Sequence, residues 1–220
     1  MDLDPAALQV GDRYRLLIGA IVPRPIAFVS TSSPAGQLNL APFSFFSGVG
    51  SSPMSLVFCP VNKPDGSEKD TLRNCAPPEA GGVGEFVVNI AHEQLIRRVA
   101  AAGADLPYGS SEFELAGLTA HAWEGVLPPR VAECAVAFAC RTHSIIRLNP
   151  GAAGGGNLVI GEVFRVHVDD ALLDSRLRID QSRLAAVGRM GGYQYCRTTE
   201  RFELAQGSPA LSAELPFPAL

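Results

Sequence analysis

The feature that most constrains the fold is a pair of long apolar segments, residues 131–146 and 158–168, separated by a glycine-rich stretch. In the second segment Arg165 and His167 alternate with apolar residues. Side chains at every second position of a strand lie on the same face, so this alternation predicts a strand with one buried and one solvated face. Two such strands joined by a flexible loop predict an antiparallel pair, and therefore a core built on β-sheet.

Other segments add more strands and a few helices. Strands are predicted at residues 16–31, 38–46, 54–59 and 85–90, and helical segments at residues 70–76, 92–102 and 169–174. The first of these strands is expected to break at the Pro-Arg-Pro sequence of residues 23–25 and to pair with the second as a hairpin. Because strands outnumber helices and do not alternate with them, the fold class is predicted to be mainly β, a barrel with a few peripheral helices.

Length and composition narrow the classes of function. The 220 residues are predicted to form one domain, residues 1–220, and 47% of them are hydrophobic. A net charge of −4 gives no field that would attract nucleic acid. The first residues lack the basic start and apolar core of a signal peptide, and no apolar run reaches the ~20 residues of a membrane span. We therefore expect a cytoplasmic protein without nucleic-acid or membrane partners.

Several common catalytic motifs are missing. The glycines of residues 81–84 and 154–156 precede predicted strands, whereas a dinucleotide-binding fold needs them between a strand and a helix. The sequence has no phosphate-binding loop of the Walker type, no H-x-x-x-H and no G-x-S-x-G. Its four histidines are scattered along the chain. No metal site and no catalytic triad is predicted.

The sequence Ser-Glu-Lys-Asp-Thr at residues 67–71 has two readings. Small hydroxyls, one lysine and the start of a helix are the components of a phosphate site, in which Lys69 supplies the charge. The alternative is ordinary capping, in which Asp70 or Thr71 satisfies the first helical turn and Lys69 is solvated. Taken alone, this stretch favours capping.

Residues 25–31 and 39–46 mix aromatic side chains with hydroxyls and an amide inside predicted strands. A flat isoalloxazine ring requires such a wall, with apolar faces and a few directed hydrogen-bonding groups at its edge. A hairpin whose serine and threonine side chains face solvent explains the same pattern. The residues themselves leave both readings open.

Six segments in order resemble the flavin reductase-like family, whose members have an FMN-binding split barrel. They are RPIAFVST (24–31), NLAPFSFF (39–46), KDTLRN (69–74), EFVVNI (85–90), GEV (161–163) and GRMGG (188–192). The resemblance runs through nearly the whole chain and implies a homodimer with FMN near the subunit interface. It implies that the flavin carries the chemistry, without a catalytic side chain, and that FMN is bound by Arg24, Pro25, Ile26, Ala27, Ser30, Thr31, Asn39, Ala41, Ser44, Phe45, Phe46, Lys69, Asp70, Thr71, Asn74, Arg189 and Tyr193.

The resemblance implies an NAD(P)H-dependent FMN reductase that passes reduced flavin to a partner oxygenase or another electron acceptor. Short reductases of this family commonly have a histidine just before the strand that matches residues 158–168, where this chain has Gly-Gly-Asn at 155–157. That departure favours an electron carrier with tightly held FMN, similar to flavoredoxin. A third reading is direct oxidation or reduction of a small organic substrate.

Overall fold

The structure, a computed structural model, describes residues 1–107 and 110–213. Its helices are α1 (Val10–Ala20), α2 (Asp70–Cys75), α3 (Ile96–Ala101), α4 (Glu112–Ala116) and α5 (Gln181–Leu184). Its strands are β1 (Ala27–Ser32), β2 (Leu38–Phe43), β3 (Phe46–Ser51), β4 (Met54–Phe58), β5 (Glu85–Ile90), β6 (Ala120–Trp123), β7 (Val126–Val131), β8 (Val136–Arg147), β9 (Asn157–Val168), β10 (Val187–Arg189) and β11 (Tyr195–Arg197). Strands contribute more residues than helices, which confirms the predicted mainly β class.

Seven of the strands form one antiparallel sheet in the order β2-β1-β5-β8-β9-β4-β3. The predicted first hairpin is β1-β2, in which Ala27 lies opposite Phe43. The predicted long pair is β8-β9, in which Val136 lies opposite Val168. Both predicted strand pairings are thereby confirmed.

The chain connectivity forces this sheet to curl. Phe43 ends β2 and Phe46 begins β3, yet these strands are at opposite edges of the sheet. In a flat sheet, six spacings of about 4.8 Å would separate the edges by about 29 Å, whereas three residues span at most about 11 Å. The ring centroids of Phe43 and Phe58 are 5.2 Å apart across the closure. The sheet therefore forms a barrel.

Both faces of β1 are buried. The inner core takes residues from six of the seven strands and from α2, among them Val29, Phe58, Leu72 and Phe86. On the outer face of β1 and β2, Phe28 and neighbouring residues pack against α3 and α4. Adjacent residues of β1 thus contribute to two different cores, as the two-residue period of a strand requires.

The prediction of one interrupted strand over residues 16–31 is wrong. Leu16 lies in α1, and β1 begins only at Ala27. The guanidinium of Arg24 donates hydrogen bonds to the carbonyls of Ile18 and Ile21, both at 2.7 Å, and so caps the end of α1. Val10, Tyr14, Leu17 and Ile18 have the i, i+4, i+7, i+8 spacing of a helix, although only Ile18 of them is buried.

Two other predicted strands are divided. The segment 38–46 ends as a strand at Phe43, because the chain crosses there to the other edge of the barrel. The segment 131–146 includes the end of β7 and most of β8, with a turn in which the Cys134 amide donates to the Val131 carbonyl at 3.1 Å. Strand β7 pairs with β6 in a hairpin that was not predicted.

The helices are short, and α1 is the longest with 11 residues. Across residues 1–107 and 110–213, no helix is both long and apolar enough to cross a membrane. In the same part of the chain, no cluster of three or more His, Cys, Asp or Glu side chains could hold a metal ion.

Candidate functional site

Four polar side chains from β1, β2 and α2 form one hydrogen-bonded cluster. Thr31 Oγ1 accepts hydrogen bonds from Asn39 Nδ2 at 3.1 Å and from Asn74 Nδ2 at 3.0 Å. Asn39 Nδ2 also donates to Thr71 Oγ1 at 2.9 Å. Since the Thr71 oxygen accepts this bond, its hydroxyl proton remains available for another acceptor. The cluster fixes Asn39 and Thr71 at one end of a cleft.

The structure does not show the helix capping that was one of the two interpretations of residues 67–71. Lys69 precedes α2, and no side chain caps the first turn of this helix. Asp70 pairs instead with Arg73, at 3.3 Å between Oδ1 and Nη1. Lys69 lines the cleft and makes no ion pair with any residue of the described chain. Its charge is therefore available to an anion.

The main cleft, as we name this cavity, has a volume of about 280 Å³. Asn39 and Thr71 of the polar cluster line it, together with an apolar wall from β2 and the crossing to β3. Seven of the residues predicted to bind FMN line it, and they are Asn39, Ala41, Ser44, Phe45, Lys69, Asp70 and Thr71.

A second cavity of about 430 Å³, here called the side cavity, adjoins the main cleft. The two share Tyr14, Pro42, Phe43, Ser44 and Gly103 as walls. Of the predicted residues, Ile26, Ser44, Arg189 and Tyr193 line the side cavity. The side cavity therefore brings together residues that are more than 140 positions apart in the sequence. The main cleft and the side cavity together form one continuous groove.

The other predicted residues lie outside both cavities, and they are Arg24, Pro25, Ala27, Ser30, Thr31, Phe46 and Asn74. Ser30 points to the outer face of β1, where its hydroxyl donates to the Pro129 carbonyl at 2.5 Å. Thr31 and Asn74 lie behind the cleft and hold Asn39 in place. Phe46 packs against the inner core.

Arg24 is buried and joins three segments around the groove. Besides its two bonds to the end of α1, Nε donates to Ser44 Oγ at 3.2 Å and Nη2 to the Met190 carbonyl at 2.9 Å. Burial lowers the pKa of its guanidinium, and the positive charge of Arg189 lowers it further, against the opposing effect of Tyr14. Arg24 thus positions the shared wall without lining either cavity.

The sequence did not indicate several residues of the main cleft: Tyr14, Cys59, Val61, Lys63, Gly103, Asp105 and Glu112. Most of them lie in loops or short helices, where no periodic pattern marks a side chain. Lys63 and Asp105 form an ion pair at 3.7 Å that connects two of these loops. A charged pair between loops leaves no signal in a single sequence.

Glu112 is a buried carboxylate on this cleft. Its Oε2 accepts the Leu40 amide hydrogen bond at 2.9 Å and so satisfies the outer edge of β2. Burial raises the pKa of Glu112 above its ordinary value, and the negative charge of Asp70 adds to the rise. The Leu40 bond and the charge of Lys63 oppose it. The folded protein therefore binds a proton at Glu112 more tightly than the unfolded chain does.

Glu112→Gln should remove one pH dependence of stability. A carboxyl with a raised pKa stabilises the fold below the pKa of the unfolded chain, about 4.3, and loses that contribution as pH rises through the folded value. The melting temperature of the native protein should therefore fall relative to that of the variant as pH increases from about 4 to 7. The exposed neighbour Glu114→Gln is the control, and a constant difference between native and Glu112→Gln would contradict the prediction.

A curled antiparallel sheet with a cleft that joins a lysine and hydroxyls to an apolar wall defines a barrel suited to a phosphorylated cofactor. The sequence profile described as the flavin reductase like domain matches residues 19–188. The chain belongs to this family, which supports a flavin-related oxidoreductase with a flavin cofactor.

Solved structures agree with this assignment. Nitrilotriacetate monooxygenase component B from Bacillus cereus is 35% identical, with a TM-score of 0.85, and the match covers 93% of this chain and 98% of that one. The 2-nitrobenzoate 2-nitroreductase NbaA from Pseudomonas fluorescens is 29% identical, with a TM-score of 0.81 and coverage of 94% and 97%. A protein with a split barrel domain from Shewanella frigidimarina is 20% identical, with a TM-score of 0.78 and coverage of 94% and 100%. The predicted split barrel is confirmed.

Proposed function

We propose that this protein binds FMN along the main cleft and acts as an NAD(P)H-dependent FMN reductase that supplies reduced flavin to a partner. The observation that supports this most strongly is the order of groups along the cleft. An unpaired lysine and a hydroxyl stand at one end, beside Asn39, and an apolar wall follows at once along β2. A phosphate, a polyol chain and a flat ring require such a sequence of surroundings.

The residues fit the cofactor at the phosphate end. Lys69 offers a compact positive charge, and Thr71 offers a hydroxyl proton that its bond from Asn39 leaves free. Bonds from a charged donor to a phosphate are about twice as strong as neutral ones. Asp70 is held by Arg73, which reduces its repulsion of an anion.

The wall of residues 41–45 fits the ring. Ala41 and Pro42 are small or flat, so a planar ring can approach the backbone of β2 closely. Phe45 extends this surface, and Arg24 fixes Ser44 within it. In this proposal the predicted residues outside the cavities support the walls, while Arg189 and Tyr193 border the groove from the side cavity.

When bound, FMN supplies the redox chemistry by exchanging a hydride with NAD(P)H, so no side-chain acid or base is required. The protein binds and orients FMN and NAD(P)H relative to each other, and it excludes water. The relative from Bacillus cereus is named as a component of a monooxygenase, which supports an oxygenase as the partner that receives reduced flavin.

A second candidate is direct reduction of a small organic substrate. The side cavity shares a wall with the main cleft, so a molecule within it would lie beside the flavin. The relative from Pseudomonas fluorescens is named as a nitroreductase that acts on 2-nitrobenzoate. This candidate needs the same cofactor site and differs only in the acceptor.

Consumption of NADH or NADPH tests the reductase. Without air, the purified protein with bound FMN should bleach its flavin absorbance when one of the two nucleotides is added, and protein stripped of FMN should consume neither. Bleaching only by a reduced protein donor would assign an electron carrier instead. No oxidation of either nucleotide in the presence of bound FMN would refute the reductase.

We further propose that the protein works as a homodimer. Leu16 and Leu17 on α1, and Ile21 just after its end, are each 50% exposed, and they form an apolar surface that a second subunit would cover. Light scattering should give twice the chain mass of 23.2 kDa. A mass of one chain at micromolar concentration would contradict the homodimer.

A further inference from the structure

The side cavity differs from the main cleft in charge. The described lining of the main cleft carries charges of both signs, from Asp70, Asp105, Glu112, Lys63 and Lys69. The described lining of the side cavity contains no acidic residue and one cation, Arg189. Two adjoining cavities with such different linings are suited to different ligands.

Some hydrogen-bond donors of the Arg189 side chain have no acceptor in the described chain. In the described chain its side chain makes one hydrogen bond, from Nη2 to the Gly192 carbonyl at 2.6 Å. Its guanidinium lies 4.5 Å from the ring centroid of Tyr195, a cation–π contact that restrains the position of the group. Nε and Nη1 make no hydrogen bond to any residue of the described chain, so part of the planar fork is open to an oxyanion.

Arg24 strengthens the positive potential. All four hydrogen bonds of its side chain are made to neutral oxygens, three carbonyls and the Ser44 hydroxyl. The backbones of Arg24 and Arg189 pair in an antiparallel bridge, and the positive charge of Arg189 lowers the pKa of Arg24, so the two charges act on each other. Two cations with no acid between them favour an anion in the side cavity.

The remaining lining is largely aromatic and apolar. Tyr14, Tyr193 and Tyr195 border the cavity, with Ile26 and Phe43 between them. Tyr193 is 96% exposed, so its ring has no packing partner in the described chain that would hold it away from a ligand. Aromatic rings prefer to meet other rings by their faces and edges.

We propose that the side cavity binds a small aromatic carboxylate, with its carboxylate on Arg189 and its ring among the tyrosines. One guanidinium matches one carboxylate. The proposal deepens the second candidate function, reduction of a small organic substrate, and rests on the proposed flavin site in one respect: because the shared wall adjoins the main cleft, such a ligand would lie beside the bound flavin.

Calorimetric titration with three matched probes tests the binding. Benzoate has the ring and the charge, benzamide has the ring alone, and cyclohexanecarboxylate has the charge without a flat ring. Benzoate should bind at least about tenfold more tightly than either, because only benzoate makes both the charge-assisted bonds and the aromatic contacts. Equal affinity for the three probes would overturn the proposal.

Variants of Arg189 locate the site. Arg189→Met should lower benzoate affinity at least about tenfold, and Arg189→Lys should restore only part of it, since an ammonium lacks the planar fork. Arg176→Met, at an exposed arginine outside both cavities, is the control and should bind as the native protein does. Melting curves establish that each variant is folded, and unchanged benzoate affinity in a folded Arg189→Met protein would refute the assignment.

A separate FMN titration distinguishes the two proposals. If FMN binds, benzoate should shift the flavin absorbance bands of the native protein and not those of Arg189→Met. If FMN does not bind but benzoate affinity still depends on Arg189, the proposed carboxylate site is supported and the proposed flavin site is refuted. If FMN binds and benzoate shows no dependence on Arg189, the carboxylate site fails alone.

Discussion

Replacing Lys69 and Thr71 together by alanine should weaken FMN binding by about 2–4 kcal/mol, or about 30-fold to 1000-fold. The double variant removes the unpaired charge of the main cleft and the hydroxyl that Asn39 orients. Hydrogen bonds to charged groups contribute about 1.5–3 kcal/mol each. Because both groups would contact the same phosphate, their losses are not additive, and the double variant should lose less than the sum of about 3–6 kcal/mol. Quenching of flavin fluorescence during titration measures the affinity.

Riboflavin and Lys63 provide the controls for this prediction. Riboflavin lacks the phosphate, so the double variant should bind it as tightly as the native protein does. Lys63→Ala changes the other lysine of the chain, which lies on the same cleft but pairs with Asp105. Its effect on FMN should be within about tenfold, because an ion-paired lysine is less available to the phosphate. Equal losses for FMN and riboflavin in the double variant would exclude a phosphate contact.

Arg24→Leu should lower the free energy of unfolding by about 2–4 kcal/mol. The change leaves the carbonyls of Ile18 and Met190 without the donor that now satisfies them. It also frees the end of α1 and the Ser44 hydroxyl, which together position the wall between the two cavities. Urea denaturation followed by circular dichroism measures the change.

Arg178→Leu is the matched control, because the side chain of Arg178 is 72% exposed and pairs only locally with Asp174. We expect a change of at most about 0.5 kcal/mol there. The loss of unfolding free energy in Arg24→Lys should lie between the losses in Arg24→Leu and Arg178→Leu. An ammonium keeps the charge, but it cannot reach all four oxygens at once. If Arg24→Leu destabilised no more than Arg178→Leu, the linking role of Arg24 would be wrong.

The sequence predicted best those parts of the fold that depend on local pattern. Strand β5 begins and ends where the apolar run of residues 85–90 does, and the alternation around Arg165 identified β9. The helical spacing of Val10, Tyr14, Leu17 and Ile18 in α1 was outweighed by the branched apolar residues that follow it, which favoured a strand. The end of α1 is held by Arg24 from outside the helix, which no local pattern shows. The crossing after Phe43 was missed because it follows from closure of the barrel, which is a property of the whole sheet.

In the candidate site, too, local sequence pattern predicted some residues, while others depend on the whole fold. The residues around Asn39 and Lys69 were found because two compact motifs contain them. Glu112 was missed because its position on the cleft depends on how α4 packs against the edge of β2. The separate roles of Ser30 and Thr31 were foreseeable, since neighbours on a strand point to opposite faces and cannot both meet one ligand. Local chemistry therefore predicted the strand and helix residues that line the cleft better than the loop residues that complete it.

The absorption spectrum of the protein, as purified and after addition of FMN and removal of the excess, tests the central claim most directly. We predict the two bands of oxidised flavin, with one FMN retained per chain, and their loss in the Lys69→Ala, Thr71→Ala double variant at concentrations that saturate the native protein. A folded native protein that remains colourless after incubation with excess FMN would contradict the assignment of the main cleft as a flavin site.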